Sequence, residues 1–349
     1  GECVTNLGRA AVAGCERVEE WLATERRWWA GRSVTALLGA SDAALRKGRA
    51  SEAHSAAERA VALDSHSDAA VQAMMRALVV QGDTLAALAC AERFAATLAH
   101  DVNGALSAAT RQLADRIRST RGARRSGTEP VLPAGGLRRA PLTGRSRELG
   151  QMLALWDRCR HGGATAIVLD GESGIGKTRL IEEFATRVRL GGGSVALVRA
   201  VQGDGEQPES GTLGLARGGL LEAPGLAAAP SQALSAFAAV LPDWSERFRN
   251  LSALPATPLG QAFASVLAAA LGEGPVLLVV DDAHWVDRMS LLSLLSVLRD
   301  STSAPLCVLL AALPQPPREE LDEFRRRLGS DLQGGVITLN PFDGDAIRQ

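Results

Sequence analysis

The chain has 349 residues, 46% of them hydrophobic and 22% charged, and a formal net charge of −1. That length accommodates two domains, and the near-neutral balance argues neither for nor against a nucleic-acid partner. Five scattered cysteines (Cys3, Cys15, Cys90, Cys159, Cys307) without C-x-x-C or a nearby His exclude a zinc site and a disulfide framework, and the absence of an 18-residue apolar run excludes a membrane-spanning helix. With no basic and apolar leader after Gly1, the expectation is a cytoplasmic protein with reduced thiols and no membrane partner. With no initiator Met, it is expected to be a piece of a longer chain.

Residues 1–118 read as all helix, because Ala and Arg dominate and no Pro precedes Pro130. Val18, Trp21, Leu22, Trp28 and Trp29 predict an amphipathic helix over Arg17–Ala30, with the Trp28–Trp29 pair assigned to the core or to a helix-packing face in preference to stacking on a ligand. Gly48 and Gly82 lie 34 residues apart, a tetratricopeptide-like period. Each glycine separates two helical segments, Val34–Lys47 from Ser51–Leu63 and Asp68–Val80 from Thr84–Leu98. Ala53 and Ala87 recur at one offset, and Asp64–Ser65 and His100–Asp101 mark breaks between repeats. Generic Ala-rich hairpins remain the alternative. A last helix, Ala105–Ile117, would cap the stack, since repeats are stable only when stacked.

The segments Val18–Arg27, Ala60–Asp64 and Leu106–Leu113 resemble the bacterial transcriptional activator domain. In Streptomyces-type antibiotic regulatory proteins this helical domain follows a winged-helix DNA-binding domain. The resemblance implies protein partners bound through the repeats. It departs at Ser65, where the family usually has Pro. No winged helix is found in this sequence, so DNA contact is assigned to none of its residues.

Residues 119–140, with Arg121, Arg124, Arg125 and Gly135-Gly136, read as a flexible basic linker, because no aromatics interleave with the charges. The second domain, 141–349, opens with Pro141-Leu142-Thr143-Gly144-Arg145-Ser146-Arg147-Glu148-Leu149, and Ser146 is a candidate N-cap for a helix to Arg160. This opening resembles that of AAA-like and STAND ATPases, the signal-transduction NTPases with numerous domains, which places Gly144 and Arg145 beside an adenine.

Ala164–Asp170 is a short apolar run that predicts a buried strand. It leads into Gly171-Glu172-Ser173-Gly174-Ile175-Gly176-Lys177-Thr178, which fits the Walker A pattern G-x-x-x-x-G-K-[ST]. Arg179 and the helical spacing of Leu180, Ile181, Phe184 and Val188 follow. A strand, a Gly-rich turn and a helix N-terminus make an anion site, in which backbone N–H groups and the helix dipole surround phosphate. In a site for ATP or ADP, Lys177 would reach the β-phosphate and, in ATP, the γ-phosphate, and the Thr178 hydroxyl would sit on Mg²⁺. The chain has only two lysines, Lys47 and Lys177, against 36 arginines. One of the two stands where a compact point charge is required.

Ser194–Ala200 predicts a second strand. Residues 201–257 give little pattern beyond a helix near Ala233–Leu241. Leu259–Leu271 predicts a helix ending at Gly272. Pro275–Val280 followed by Asp281-Asp282 reads as a Walker B strand, with Asp281 on Mg²⁺ and Asp282 as general base. The continuation Ala283-His284-Trp285-Val286-Asp287 resembles the D-D-x-H-W-x-D signature of LuxR-type large ATP-binding (MalT-like) regulators. Asp287 is expected to cap the helix Met289–Leu298.

Leu306–Ala312 is the fourth strand and Val336–Leu339 the fifth. The family's fourth strand usually ends in a polar residue and a sensor Arg, whereas Leu313-Pro314-Gln315-Pro316 stands here. Arg318, Arg325, Arg326 or Arg327 could substitute, although Glu319–Leu328 reads first as a solvated helix. The lid that follows in relatives would lie beyond Gln349. The expected fold is therefore tetratricopeptide-like helices followed by an α/β P-loop NTPase domain with a mostly parallel five-stranded sheet. The implied function is a slow ATPase acting as a switch in a bacterial transcriptional regulator, with a nucleotide-dependent oligomer as one form. The alternatives are a non-catalytic scaffold stabilised by nucleotide and a constitutive AAA-like ATPase.

Overall fold

A computed structural model describes residues 16–102, 104–126, 142, 144–249, 251 and 257–341. The chain divides into two compact units, Gly1–Pro141 and Leu142–Gln349.

The first unit is helical: α1 (Glu16–Arg46), α2 (Ala50–Leu63), α3 (Asp68–Val80), α4 (Thr84–Val102) and α5 (Ala108–Ser126). Gly48 (φ 79°) and Gly82 (φ 85°) close α1 and α3 in the same way. The amide after each glycine reaches back to a carbonyl five residues earlier, Arg49 to Ala44 and Asp83 to Leu78, both at 2.9 Å. Ala53 and Ala87 are fully buried, so the repeat period is realised as two equivalent close helix contacts. Asp68, at the start of α3, accepts from Ser107 and Thr110 at 2.6 Å each and so joins α3 to α5.

Three expectations change here. α1 is one 31-residue helix, not two segments, because nothing between Ala30 and Val34 breaks it. Trp28 and Trp29 are exposed rather than core, as is Trp21, since α2 and α3 bury another face around Val34 and Ala44. α5 runs through the first positions of the expected linker to Ser126, and the remainder, 127–140, lies outside the described residues.

The second unit begins with α6 (Ser146–Arg160), β1 (Thr165–Gly171), α7 (Lys177–Leu190) and β2 (Ser194–Arg199). Short helices α8 (Ser210–Leu215), α9 (Ser231–Ala238) and α10 (Pro242–Arg247) follow, then α11 (Leu259–Glu273) and β3 (Val276–Asp281). It continues with α12 (Arg288–Asp300), β4 (Leu306–Ala312), α13 (Glu319–Arg327) and β5 (Gln333–Leu339). The sheet is wholly parallel in the order β2-β3-β4-β1-β5.

Its strands are apolar on both faces, as a parallel sheet between helical layers requires. Along β1, Ile167 and Leu169 join Leu180, Phe184 and Trp156 of α6 and α7 on one side. Ala166 and Val168 join Phe237, Trp244, Phe263 and Leu294 on the other. The poorly patterned 201–257 stretch thus builds part of the second helical layer. A turn over Ala216–Leu220 lies against β2, and Trp244 Nε1 donates to the Ala216 carbonyl at 3.3 Å.

Boundaries shift locally. Ser146 is the first residue of α6, and the N-cap position falls on Arg145, which makes no capping bond. α11 passes through Gly272 to Glu273, and β5 starts at Gln333.

Candidate nucleotide site

The parallel order puts the carboxyl ends of β1 and β3 on one edge of the sheet, with only β4 between them. Crevices at the carboxyl ends of such strands are where ligands bind in open α/β sheets. After β1 the chain turns through Gly171–Gly176, with Gly174 at φ 77° and Gly176 at φ 99°. No neighbouring atom would crowd a side chain at either position, so the backbone conformation rather than space calls for glycine. Glu172, Ser173, Gly174 and Gly176 are exposed, and α7 begins at Lys177 directly behind them.

Lys177 is 6% exposed, and its Nζ donates to the carbonyls of Gly171 (2.8 Å) and Glu172 (2.9 Å). Burial pushes its pKa down, against the opposing pull of Asp282, Asp281 and Asp170. The Thr178 hydroxyl donates to Asp281 Oδ2 at 2.7 Å, across the gap that β4 spans. Burial raises the pKa of Asp281, and the nearby Asp282 adds to this, while the Thr178 hydrogen bond works the other way. The loop, the lysine, the hydroxyl and the carboxylate are thus assembled in one place. Two hard oxygens, on Thr178 and Asp281, fit the donor type that Mg²⁺ takes.

Asp282 adopts a left-handed backbone (φ 54°, ψ 42°), which is costly for a residue with a Cβ and turns the chain sharply after β3. Its carboxylate meets Arg199 Nε at 3.4 Å. Sequence reasoning missed Arg199; the signal available was its place as the last residue of β2, on the same sheet edge.

Arg145 is buried and donates to the carbonyls of Ile175 (3.3 Å) and Asn340 (2.8 Å) and to Glu148. It therefore ties the phosphate loop to the end of β5. Gly144 precedes it in an exposed bend, and Arg179 pairs with Glu182 one turn along α7.

β4 ends in Ala311 and Ala312, so it brings no polar side chain between the two acidic and basic halves. Of the arginines considered as substitutes, Arg318 donates to the carbonyls of Ala283 and His284, beside the end of β3. Arg325 grips Asp170 through two bonds of 3.1 and 2.7 Å, and Arg326 and Arg327 pair with Glu323. His284 packs on Trp285 with ring centres 5.0 Å apart, and burial lowers its pKa.

Asp287 caps α12 by accepting from Ser290 N, as expected, and it does more. It also accepts from Glu209 N, Ser210 Oγ, Gly211 N and Ser290 Oγ, which binds the start of α8 to α12.

Fold and site together define a P-loop nucleotide-binding domain preceded by a helical domain. Residues 141–309 match the family model of the AAA ATPase domain, and residues 7–118 match that of the bacterial transcriptional activator domain. The chain therefore has the architecture of a bacterial transcriptional activator domain followed by an AAA ATPase domain, and the latter implies nucleotide binding. It is similar to an uncharacterized protein of Rhizobium meliloti (strain 1021), 23% identical over 227 residues, covering 60% of this chain and 21% of that protein. The chain thus spans about a fifth of the length of this curated relative. Among the described residues no helix is long and apolar enough to cross a membrane.

Proposed function

We propose that the chain is the nucleotide-responsive module of a bacterial transcriptional regulator of the STAND type. It would bind ATP with Mg²⁺ at Gly171–Thr178 and hydrolyse it slowly. The Thr178–Asp281 contact at 2.7 Å carries this reading, since it brings the Walker A hydroxyl and the Walker B carboxylate together. The loop amides and the α7 N-terminus bind the phosphates. Lys177, whose Nζ donates to the Gly171 and Glu172 carbonyls, would reach the β- and γ-phosphate oxygens, and Thr178 and Asp281 would hold the metal. A Mg²⁺ ion held there would supply positive charge beside the phosphates. Asp282 orients the attacking water and takes its proton.

Slow turnover is supported by the alanines that end β4 and by the engagement of Asp282 with Arg199. A switch further requires that ATP and ADP favour different states of the protein by their differential affinities. The helical repeats would carry that state to a protein partner.

The test is calorimetric titration of ATP and ADP with Mg²⁺ into the wild type and Lys177→Ala, with phosphate release followed in the same samples. Binding lost in the variant together with slow turnover supports the proposal. Binding that survives in Lys177→Ala rules out the phosphate loop as the site. Tight binding with no turnover at all would favour the nucleotide-stabilised scaffold.

A further inference from the structure

Within the helical unit, the N-terminal half of α1 carries a half-exposed aromatic face. Trp21, Trp28 and Trp29 are 59%, 50% and 45% exposed, and they hold half of the chain's six tryptophans. At 3.6 residues per turn, Trp21, Glu25, Trp28, Trp29, Arg32 and Ala36 fall within an arc of about 100°. Trp28 and Trp29 meet edge to face at 4.8 Å, and the Arg32 guanidinium lies 4.8 Å from the centre of the Trp28 ring. The stripe is therefore a preformed aromatic ridge with one acid and one base along its midline.

We propose that this stripe is a self-association surface, on which α1 of a second copy of this chain packs antiparallel about a two-fold axis between Trp28 and Trp29. Such an axis relates positions whose numbers are symmetric about that point. It places Trp28 and Trp29 of each copy side by side at the centre. It sets Glu25 against the partner's Arg32, and Arg32 against the partner's Glu25. It puts the bulky Trp21 level with the partner's small Ala36. An isologous interface needs a surface complementary to itself, and the charge order acid–indole–indole–base reads as its own complement when reversed. A parallel pair would instead face Glu25 with Glu25 and Arg32 with Arg32.

The available surface sets the strength. Three half-exposed indoles, each of about 200 Å², offer roughly 300 Å² of aromatic contact per copy. That is well under the roughly 800 Å² per partner of a standard interface. The dimer is accordingly weak, with a dissociation constant on the order of micromolar. The inference does not depend on the nucleotide reading.

The test is sedimentation velocity of the full chain over protein concentration up to about 100 µM, with helix content checked by circular dichroism. The wild type is expected to pass from monomer to dimer. Glu25→Arg alone and Arg32→Glu alone are each expected to weaken the dimer at least tenfold. An equimolar mixture of the two variants should restore it, because every contact then pairs opposite charges. The double variant Glu25→Arg/Arg32→Glu should dimerise like the wild type. Trp28→Ser should abolish association without loss of helix. A wild type that stays monomeric overturns the proposal, as does association insensitive to the single charge reversals or a mixture that fails to recover.

Discussion

Asp281 and Asp287 are both 2% exposed and stand six positions apart, yet burial acts on them with opposite outcomes. Burial alone would raise the pKa of Asp287, but bonds from Ser290, Gly211 and Glu209 outweigh it and hold the carboxyl below its ordinary range. Replacing Asp287 by Ala removes an N-cap, worth about 0.5–2 kcal/mol. It also orphans the amides of Glu209 (2.9 Å) and Gly211 (3.1 Å). The Gly211 amide is buried and the Glu209 amide partly so, and a buried donor left unpaired costs about 1–3 kcal/mol. Since the groups relax together, the expected loss is about 4 kcal/mol rather than the full sum. In a unit of this size that corresponds to a Tm lower by about 8–16 °C.

Thermal unfolding followed by near-ultraviolet circular dichroism measures the loss, and hydrogen exchange over α8 shows where it falls. Asp287→Asn keeps the cap and loses the charge, at a cost of about 2 kcal/mol. Because the folded pKa is depressed, the stabilisation is present above the unfolded value of about 3.9 and disappears as pH falls through the lower folded value. The gap between wild type and Asp287→Asn should therefore narrow below about pH 4. A loss under about 1 kcal/mol in Asp287→Ala would show that the five-bond cluster carries no weight and would refute the reasoning.

Asp281→Asn should leave Tm unchanged or raised near pH 7, because a folded carboxyl with a raised pKa contributes stability at low pH and loses it as pH rises. The same variant should lose Mg²⁺-dependent nucleotide binding, and in the wild type that binding should weaken as pH falls and Asp281 takes up a proton, as calorimetry across pH can check. Arg325→Ala strips Asp170 of its two-pronged partner next to the phosphate loop and should cost about 2–3 kcal/mol. Arg325→Lys should recover only part of this, since an ammonium cannot reproduce the fork; chemical denaturation distinguishes the three proteins. In the helical unit, Gly82→Ala forces a side chain into φ 85° and should cost about 1 kcal/mol. Gly39→Ala, inside α1 with open space at its Cβ, should instead gain about 0.5–1 kcal/mol, and the opposite signs can be read from helix melting.

The phosphate loop, the strand before Asp281 and the 34-residue period were legible because each is a local pattern with one physical solution. Four strands announced themselves as apolar runs, and β5 did so only over Val336–Leu339, since Gly334 and Gly335 dilute its start. The tryptophans of α1 misled because hydrophobic spacing reports a face and not what covers it. Arg199, Asp170 and Arg325 were invisible as partners: their contacts join residues 83 and 155 positions apart, and only the strand order brings them together. The 201–257 stretch resisted because its helices are short and start at Ser210, Ser231 and Pro242 with no side-chain caps.

At β2 the sheet is closed off by bare main chain. A Cβ on Gly218 would stand 1.9 Å from the Leu197 carbonyl oxygen, and one on Gly219 would stand 2.3 Å from that of Val195. The glycine turn lies so near that any side chain there would prise it away. Among the described residues β5 pairs only with β1, so its far flank is the one left to accept another strand. The sheet is thus a template with a single growing end. A foreign strand, whether a neighbouring segment in a longer chain or a misfolded copy, could extend it past β5 and not past β2.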